Sequence, residues 1–275
     1  MITAIITTMN RPVELCNAIQ SVLKSKVIDE VVVTDKSDFP VIENEIVRMV
    51  FEMMKWEDKN VVYQRGSKHK HAAWGRYEGL QRASNEYALT LDDDGWLACD
   101  PVDFEKHIKD RPCIVVGCQD VMNVAGYPDW TDGKEEESTD FFRWVRIRKD
   151  EVDEWVAKWD LGFFRKYEKN FTHEAAYCAG TGIYRTKDLC DAYKETAEYF
   201  DSRMPYEDIY ASLLVSENYD KWPLFVSKYF IYHCRMKSQV RKWKVGKAMP
   251  KLVEKMDVVN QKYEAFILDK YGVKL

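Results

Sequence analysis

No CxxC pair occurs anywhere in this chain, and its seven cysteines are an odd number. The nearest two, Cys113 and Cys118, lack zinc-finger spacing. That pattern points away from zinc modules and disulfide frameworks. It suits small buried thiols in a reducing compartment. No apolar run approaches the roughly 20 residues needed to cross a bilayer, so no integral membrane segment is expected. The opening residues, Met1 to Thr8, carry no basic leader and form too short an apolar run for a signal peptide. A cytoplasmic chain is the resulting expectation, with peripheral membrane contact left open. Internal repeats, low-complexity tracts and a clear linker are also missing. A surplus of positive charge is missing too, since the net charge is −5. That argues against a surface coated in basic residues, although a local patch can still bind a polyanion.

What is present is a globular composition: 46% apolar and 13% aromatic residues over 275 positions. The most informative stretch is Leu91-Asp92-Asp93-Asp94-Gly95, which follows the apolar run 87–91. Three adjacent acids at the end of a buried strand repel each other unless a cation neutralises them. Hard oxygen donors there suit Mg²⁺ or Mn²⁺. A solvated turn is the competing explanation, because Asp and Gly also favour turns.

Short β-branched or apolar runs at 4–8, 30–34, 60–63 and 87–91 alternate with helical patterns. Those helices are expected from Pro12 through Lys24, over 41–55 and over 72–83. Such alternation indicates βαβ units and a mainly parallel sheet. In such sheets ligands bind beyond the carboxyl ends of the strands. Asn10, Asp35 and Asp92 to Asp94 all fall at that edge. Further strands are expected at 113–118, around 178–185 and at 223–232, with helices at 187–200, 206–215 and 251–271. The last helix carries Leu252, Met256, Val259, Tyr263, Phe266 and Ile267 on one face. Residues 129–170 hold four of the nine tryptophans among many charges. They read either as an amphipathic cover on the sheet or as an aromatic acceptor platform.

Several segments together resemble the nucleotide-sugar glycosyltransferases of the GT-A fold, particularly the large family 2-like inverting group. AIITTMNRPVELCNAIQSVL is similar to that family's first strand and helix, and EVVVTDKSD to its second strand. AAWGRYEGLQRASNEYALTL resembles the helix and strand that lead into its DxD motif, here Asp92-Asp93-Asp94. AGTGIYR resembles its glycine-containing acceptor-side strand, and MPYEDIYASLLV its second acidic pair. The resemblance spans roughly residues 2–235, with an unclear stretch over 129–170. It implies a Rossmann-like α/β domain: a mixed, mainly parallel sheet flanked by helices, with a C-terminal helical segment. On that pattern, 1–100 forms the nucleotide-sugar half, 101–235 the acceptor half and 236–275 a basic helical tail.

The resemblance also implies roles. Asp94 ligates Mn²⁺ or Mg²⁺, Asp92 shares that site while lying nearer the ribose, and Asp93 is an intervening residue facing solvent. His233, just past the last strand, completes the metal site, and an imidazole there favours Mn²⁺. Asp35 meets the nucleobase or ribose, with Thr8, Asn10 and Arg11 lining the pocket. Arg65 and Arg76 are candidates for the diphosphate or for holding Asp92. Asp208 is the base that takes the acceptor's proton in an inverting transfer, with Glu207 as the runner-up. Helix N-terminal charge is the alternative explanation for that pair.

From Arg235 to Lys255 stand eight Lys and Arg (Arg235, Lys237, Arg241, Lys242, Lys244, Lys247, Lys251 and Lys255) against one acid, Glu254. Arg235 and Lys237 are candidates to close over a donor diphosphate, with a UDP-linked sugar the expected donor. The cluster also fits a polyanionic acceptor or a solvated basic face. Two acceptor classes stay open: a glycan or lipid-linked saccharide, and DNA carrying a hydroxylated base. Two other classes fit less well. A nucleotidyltransferase needs a glycine-rich phosphate loop, and TTMNRP has no glycine. A non-catalytic sugar-binding module has no use for two separate acidic motifs.

Overall fold

The computed structural model describes residues 1–67, 71–120, 147–149, 155–157, 172–175, 177–178, 180–199 and 207–233, with scattered helical positions between 254 and 269. Of these, 118–120, 147–149, 155–157, 173, 227 and 233 are described by backbone alone. The strands are β1 (Ile2–Thr8), β2 (Ile28–Asp35), β3 (Asn60–Arg65), β4 (Tyr87–Asp92), β5 (Gly95–Leu97) and β6 (Cys113–Asp120). Then follow β7 (Ile147–Lys149), β8 (Trp155–Ala157), β9 (Thr172–Glu174), β10 (Gly182–Arg185) and β11 (Leu224–His233). The helices are α1 (Pro12–Val22), α2 (Glu45–Trp56), α3 (Ala72–Leu80), α4 (Glu105–Ile108), α5 (Thr186–Tyr199) and α6 (Glu207–Ser216).

The main sheet runs β3-β2-β1-β4-β10-β6-β11-β5, with β9 pairing β11. Strands β3, β2, β1 and β4 are mutually parallel. Strand β10 enters antiparallel between β4 and β6, so the sheet is mixed. Strands β7 and β8 form a separate antiparallel pair inside the aromatic stretch. The rest of 129–170 lies outside the described residues.

Period-two alternation divides the core into two layers. Ile2, Ala4, Ile6, Leu89 and Leu91 face one side, against Leu15, Ile19 and Val22 of α1 and Val47, Val50 and Met54 of α2. Ile5, Val32 and Ala88 face the other, against Ala73 and Leu80 of α3, Leu189 and Tyr193 of α5, and Ile209 of α6. The same alternation decides where each polar residue at the strand ends points.

Local chemistry adjusts the expected boundaries. Pro12 opens α1 at its first turn, as expected. The helical pattern from 41 is broken in two. Val41–Glu43 is a 3₁₀ turn, and Asn44 then takes an extended conformation and accepts the Ile46 N–H at 2.9 Å. That cap restarts the chain as α2. Helix α3 stops at Leu80, short of 83, because Ser84 leaves to donate its N–H and hydroxyl to buried Glu30 at 2.8 and 2.9 Å. Strand β5 was not expected, being three residues long and directly after the acids. In the C-terminal segment, the helical positions include exposed Val258 and Leu268. The apolar face expected at 252–267 lies outside the described residues.

Helix α3 lies close on β1 because residue 75 is glycine. A Cβ there would stand 2.4 Å from Thr7 Cγ2. Gly75→Ala therefore forces helix and strand apart. It is expected to cost about 1–3 kcal/mol in urea unfolding, as overpacking does. Unchanged stability would mean the helix does not sit this close.

Candidate active site

Register brings the site together. Thr8 on β1 pairs with Asp35 on β2, Asp35 pairs with Arg65 on β3, and Thr7 pairs with Asp92 on β4. All four strand ends therefore finish along one edge, where open α/β sheets place a ligand.

At that edge Asp35 is fully buried. Its carboxylate accepts the N–H groups of Ser37 and Val41 at 2.8 Å each, the Tyr63 hydroxyl at 2.7 Å and Arg65 at 2.6 Å. Burial pushes its pKa up, but these donors outweigh it and hold the carboxyl below its ordinary value. The group of this pair open to solvent is Arg65, whose side chain is 41% exposed. Asn10 takes a left-handed conformation (φ 59°) and joins the first two strand ends. Its N–H donates to Ser37 Oγ at 2.7 Å, and its amide exchanges hydrogen bonds with Asp38 at 3.1 and 3.0 Å.

The three acids diverge. Asp92 is the last residue of β4 and shares the side of Ala88 and Thr90. There it meets Arg76 of α3 at 2.5 Å. Arg76 also reaches Glu207 of α6 at 2.7 Å. One guanidinium thus ties the first acidic motif to the second. Asp93 turns the other way and accepts the Thr8 hydroxyl at 2.8 Å and Arg11 at 3.0 Å. Asp94 accepts the same Arg11 at 2.9 Å. The expectation that Asp93 faces solvent fails: it is 6% exposed, because Thr8 and Arg11 draw it inward.

Asp208 lies beside this cluster, and one carboxylate oxygen accepts the Gly180 N–H. Gly180 has φ +84°, a conformation that favours glycine. The sequence did not single out this bond. A glycine between the small residues Ala179 and Thr181 was its only signal.

Among the described residues, Asp92, Asp93, Asp94, Glu207 and Asp208 stand close to Arg11 and Arg76. Burial pushes Asp93 up to about 7, Arg11 opposes the shift, and Asp94 adds to it. Burial likewise pushes Glu207 up to about 7, with Arg76 opposing and Asp208 adding. Asp208 is raised by burial as well, against the pull of Arg76. Arg76 is itself desolvated, but the surrounding acids keep it firmly charged.

The remaining candidates are placed in part. His233 pairs through its backbone with Gly95, one residue past Asp94. Its side chain, and Arg235 and Lys237 entirely, lie outside the described residues. Among the described residues, no three His, Cys, Asp or Glu converge into a ready-made metal cluster. No helix among them is long and apolar enough to cross a membrane.

A helix-flanked mixed sheet with acids at its parallel strand ends has the architecture of GT-A glycosyltransferases. Comparison with solved structures agrees on the fold. GalNAc-T7, in a structure with UDP, GalNAc and Mn²⁺, is 14% identical over 98% of this chain and 51% of that one, with a TM-score of 0.59. S. aureus TarS 1-349 is 16% identical over 85% of this chain and 60% of that one, at 0.52. The same TarS fragment in complex with UDP-GlcNAc is 15% identical over 99% and 68%, at 0.53. The chain spans about half the length of the GalNAc-T7 chain it matches. A comparison with curated proteins gave no match. The profile described as glycosyl transferase family 2 matches residues 3–193, and the chain belongs to that family.

The shifted carboxyl of Glu207 has a consequence for stability. Between its ordinary value near 4.5 and about 7, the folded state binds a proton that the unfolded state does not. Stability contributed by this group is therefore present below that window and lost as pH rises through it. Urea unfolding from pH 4.5 to 8 should show a smaller decline in Glu207→Gln than in the unaltered protein. Equal slopes would place Glu207 in a more polar environment than the one seen here.

Proposed function

We propose that this protein transfers a sugar from a UDP-linked donor to a hydroxyl acceptor, with inversion and with the help of a divalent cation. The observation that carries the reading is the single guanidinium of Arg76 joining Asp92, at the donor edge, to Glu207, beside Asp208. Donor-binding acids and a candidate base are thereby held in one cluster.

The parts take roles by their chemistry. Asn10, Thr8 and Arg11 shape the donor pocket, and Asp35 acts on it through Arg65 and the turn it orders. Asp92 reaches toward the ribose. Asp208 takes the acceptor's proton as the acceptor oxygen attacks the anomeric carbon. Glu207 is the less suitable base, since Arg76 already occupies it.

The acids at this edge offer hard oxygen donors, which fits Mn²⁺ or Mg²⁺. Asp94 would hold the ion, Asp92 would share it, and His233, next to Gly95 in the ladder, would complete the set. When bound, the ion supplies charge neutralisation for the departing diphosphate. Arg235 and Lys237 would close over that diphosphate from the basic segment.

The acceptor in this reading is a glycan or lipid-linked saccharide. The basic cluster from Arg235 to Lys255 favours a second reading, DNA bearing a hydroxylated base. Duplex binding that weakens steeply with salt would select it.

UDP release from a panel of UDP sugars, with and without EDTA, tests the proposal. Release should require Mn²⁺ or Mg²⁺, and Asp94→Ala should lower it by about 10³-fold or more. Asp208→Asn should lower kcat by about 10²- to 10⁴-fold, in line with loss of a general base. Sugar binding that ignores EDTA, without any UDP release, would instead indicate a binding module.

A further inference from the structure

We propose that Thr90 is a positioning residue for Asp208, acting through the 180–182 backbone. The inference rests on the assignment of Asp208 as the base.

Thr90 lies inside β4, two residues before Asp92 and on the same side of the sheet. It is 2% exposed. A hydroxyl buried in an apolar strand needs partners, and here both are backbone groups of one loop. Thr90 Oγ donates to the Gly180 carbonyl at 3.0 Å and accepts the Gly182 N–H at 2.9 Å.

The ladder explains what this does. Strand β10 pairs with β4 only from Arg185↔Tyr87 to Ile183↔Leu89. The next pair in register is Gly182 with Thr90. At that step the Thr90 side chain, rather than the β4 backbone, receives the Gly182 N–H. The chain leaves β4 there, and two residues earlier the Gly180 N–H meets the Asp208 carboxylate. Residue Gly180 is thus held on both sides: its carbonyl by Thr90, its N–H by Asp208.

The loop has no slack at that point. A Cβ at Gly182 would lie 2.7 Å from the Tyr184 ring and 2.8 Å from Cys178 Sγ. Cys178 is fixed in turn, its N–H donating to Ser212 Oγ on α6 at 2.8 Å. Helix α6 also carries Asp208. Loop and base are therefore referenced to the same helix, and Thr90 ties both to the strand that ends in the donor-side acids. The Asp208 carboxylate accepts the Gly180 N–H and also the Ile209 N–H of its own helix, so two backbone donors set its orientation.

Thr90→Val keeps the shape and removes both bonds; Thr90→Ser keeps the hydroxyl. Thr90→Val is expected to lower kcat about 10- to 100-fold with the donor KM within about 2-fold, as misplacement of a catalytic group does. Thr90→Ser should return kcat to within about 3-fold of the unaltered protein. The Gly180 amide proton, followed by NMR in the full chain, should move upfield in Thr90→Val and return in Thr90→Ser. An unchanged kcat in folded Thr90→Val overturns the proposal. So does equal loss in both variants, which would assign the effect to the threonine methyl. If the unaltered protein transfers no sugar, the proposed reaction falls. The Gly180 resonance then decides the Thr90 contact alone: movement in Val and recovery in Ser uphold it, and no movement removes it.

Discussion

Arg11 and Arg76 approach the end of β4 from opposite faces of the sheet, and the acidic turn is divided between them. Arg11 stands at the entry to α1 and holds Asp93 and Asp94. Arg76 stands in α3 and holds Asp92, then reaches on to Glu207. Neither partition is arbitrary. Strand alternation sends Asp92 to the α3 side, and the turn that follows puts Asp93 and Asp94 together within reach of Arg11. Two guanidiniums, one per layer, let three adjacent carboxylates exist at the end of a buried strand. Burial remains the main cause of the raised pKa values of Asp93 and Glu207, with neighbouring acids adding to it and the two guanidiniums opposing it.

The donor half was readable because its signals are local. Period two and period 3.6 alternate cleanly over the first hundred residues, and Pro12 and the acids punctuate them. Asn10, Asp35 and Asp92 could be placed at one edge because residues at parallel strand ends share it whatever the details of packing, whereas Thr8 and Arg11 came with the family resemblance. Direction in the second half was harder. Strand β10 is four residues long, and nothing in GIYR says that it runs antiparallel between β4 and β6. Strand β5 is shorter still and borrows its ladder from β11. Such strands exist through partners far away in sequence, which propensity does not encode.

Side-chain roles failed or held by the same logic. Asp93 looked like the spare member of the triplet, and a solvated position was the natural expectation. Only the approach of Thr8 and Arg11 across 85 and 82 residues draws it inside. Asp35 was legible as a site residue. That its carboxylate would be consumed by four donors of its own chain was not. Arg76 was legible as a possible holder of Asp92 because α3 precedes β4. Its second contact, 131 residues away on α6, depends on how α3, α5 and α6 pack as one layer.

The burial of the middle acid also explains the spacing of the motif. Asp92, Asp93 and Asp94 have side-chain exposures of 38%, 9% and 13%. The middle position is thus the least exposed, bonded inward to Thr8 and Arg11. With Asp93 drawn beneath the turn by Thr8, the turn is anchored. Asp92 and Asp94 are left on either side, within reach of a ligand at the strand edge. Gly95 then lets the chain reverse tightly: a Cβ there would stand 3.0 Å from Leu91 Cδ1 and 3.2 Å from the Asp92 carbonyl. The reversal carries the chain directly into β5, whose first residue pairs with His233. The acids, the glycine and the distant histidine are therefore joined by one backbone constraint. The anchor is a buried carboxylate that itself need never touch the substrate.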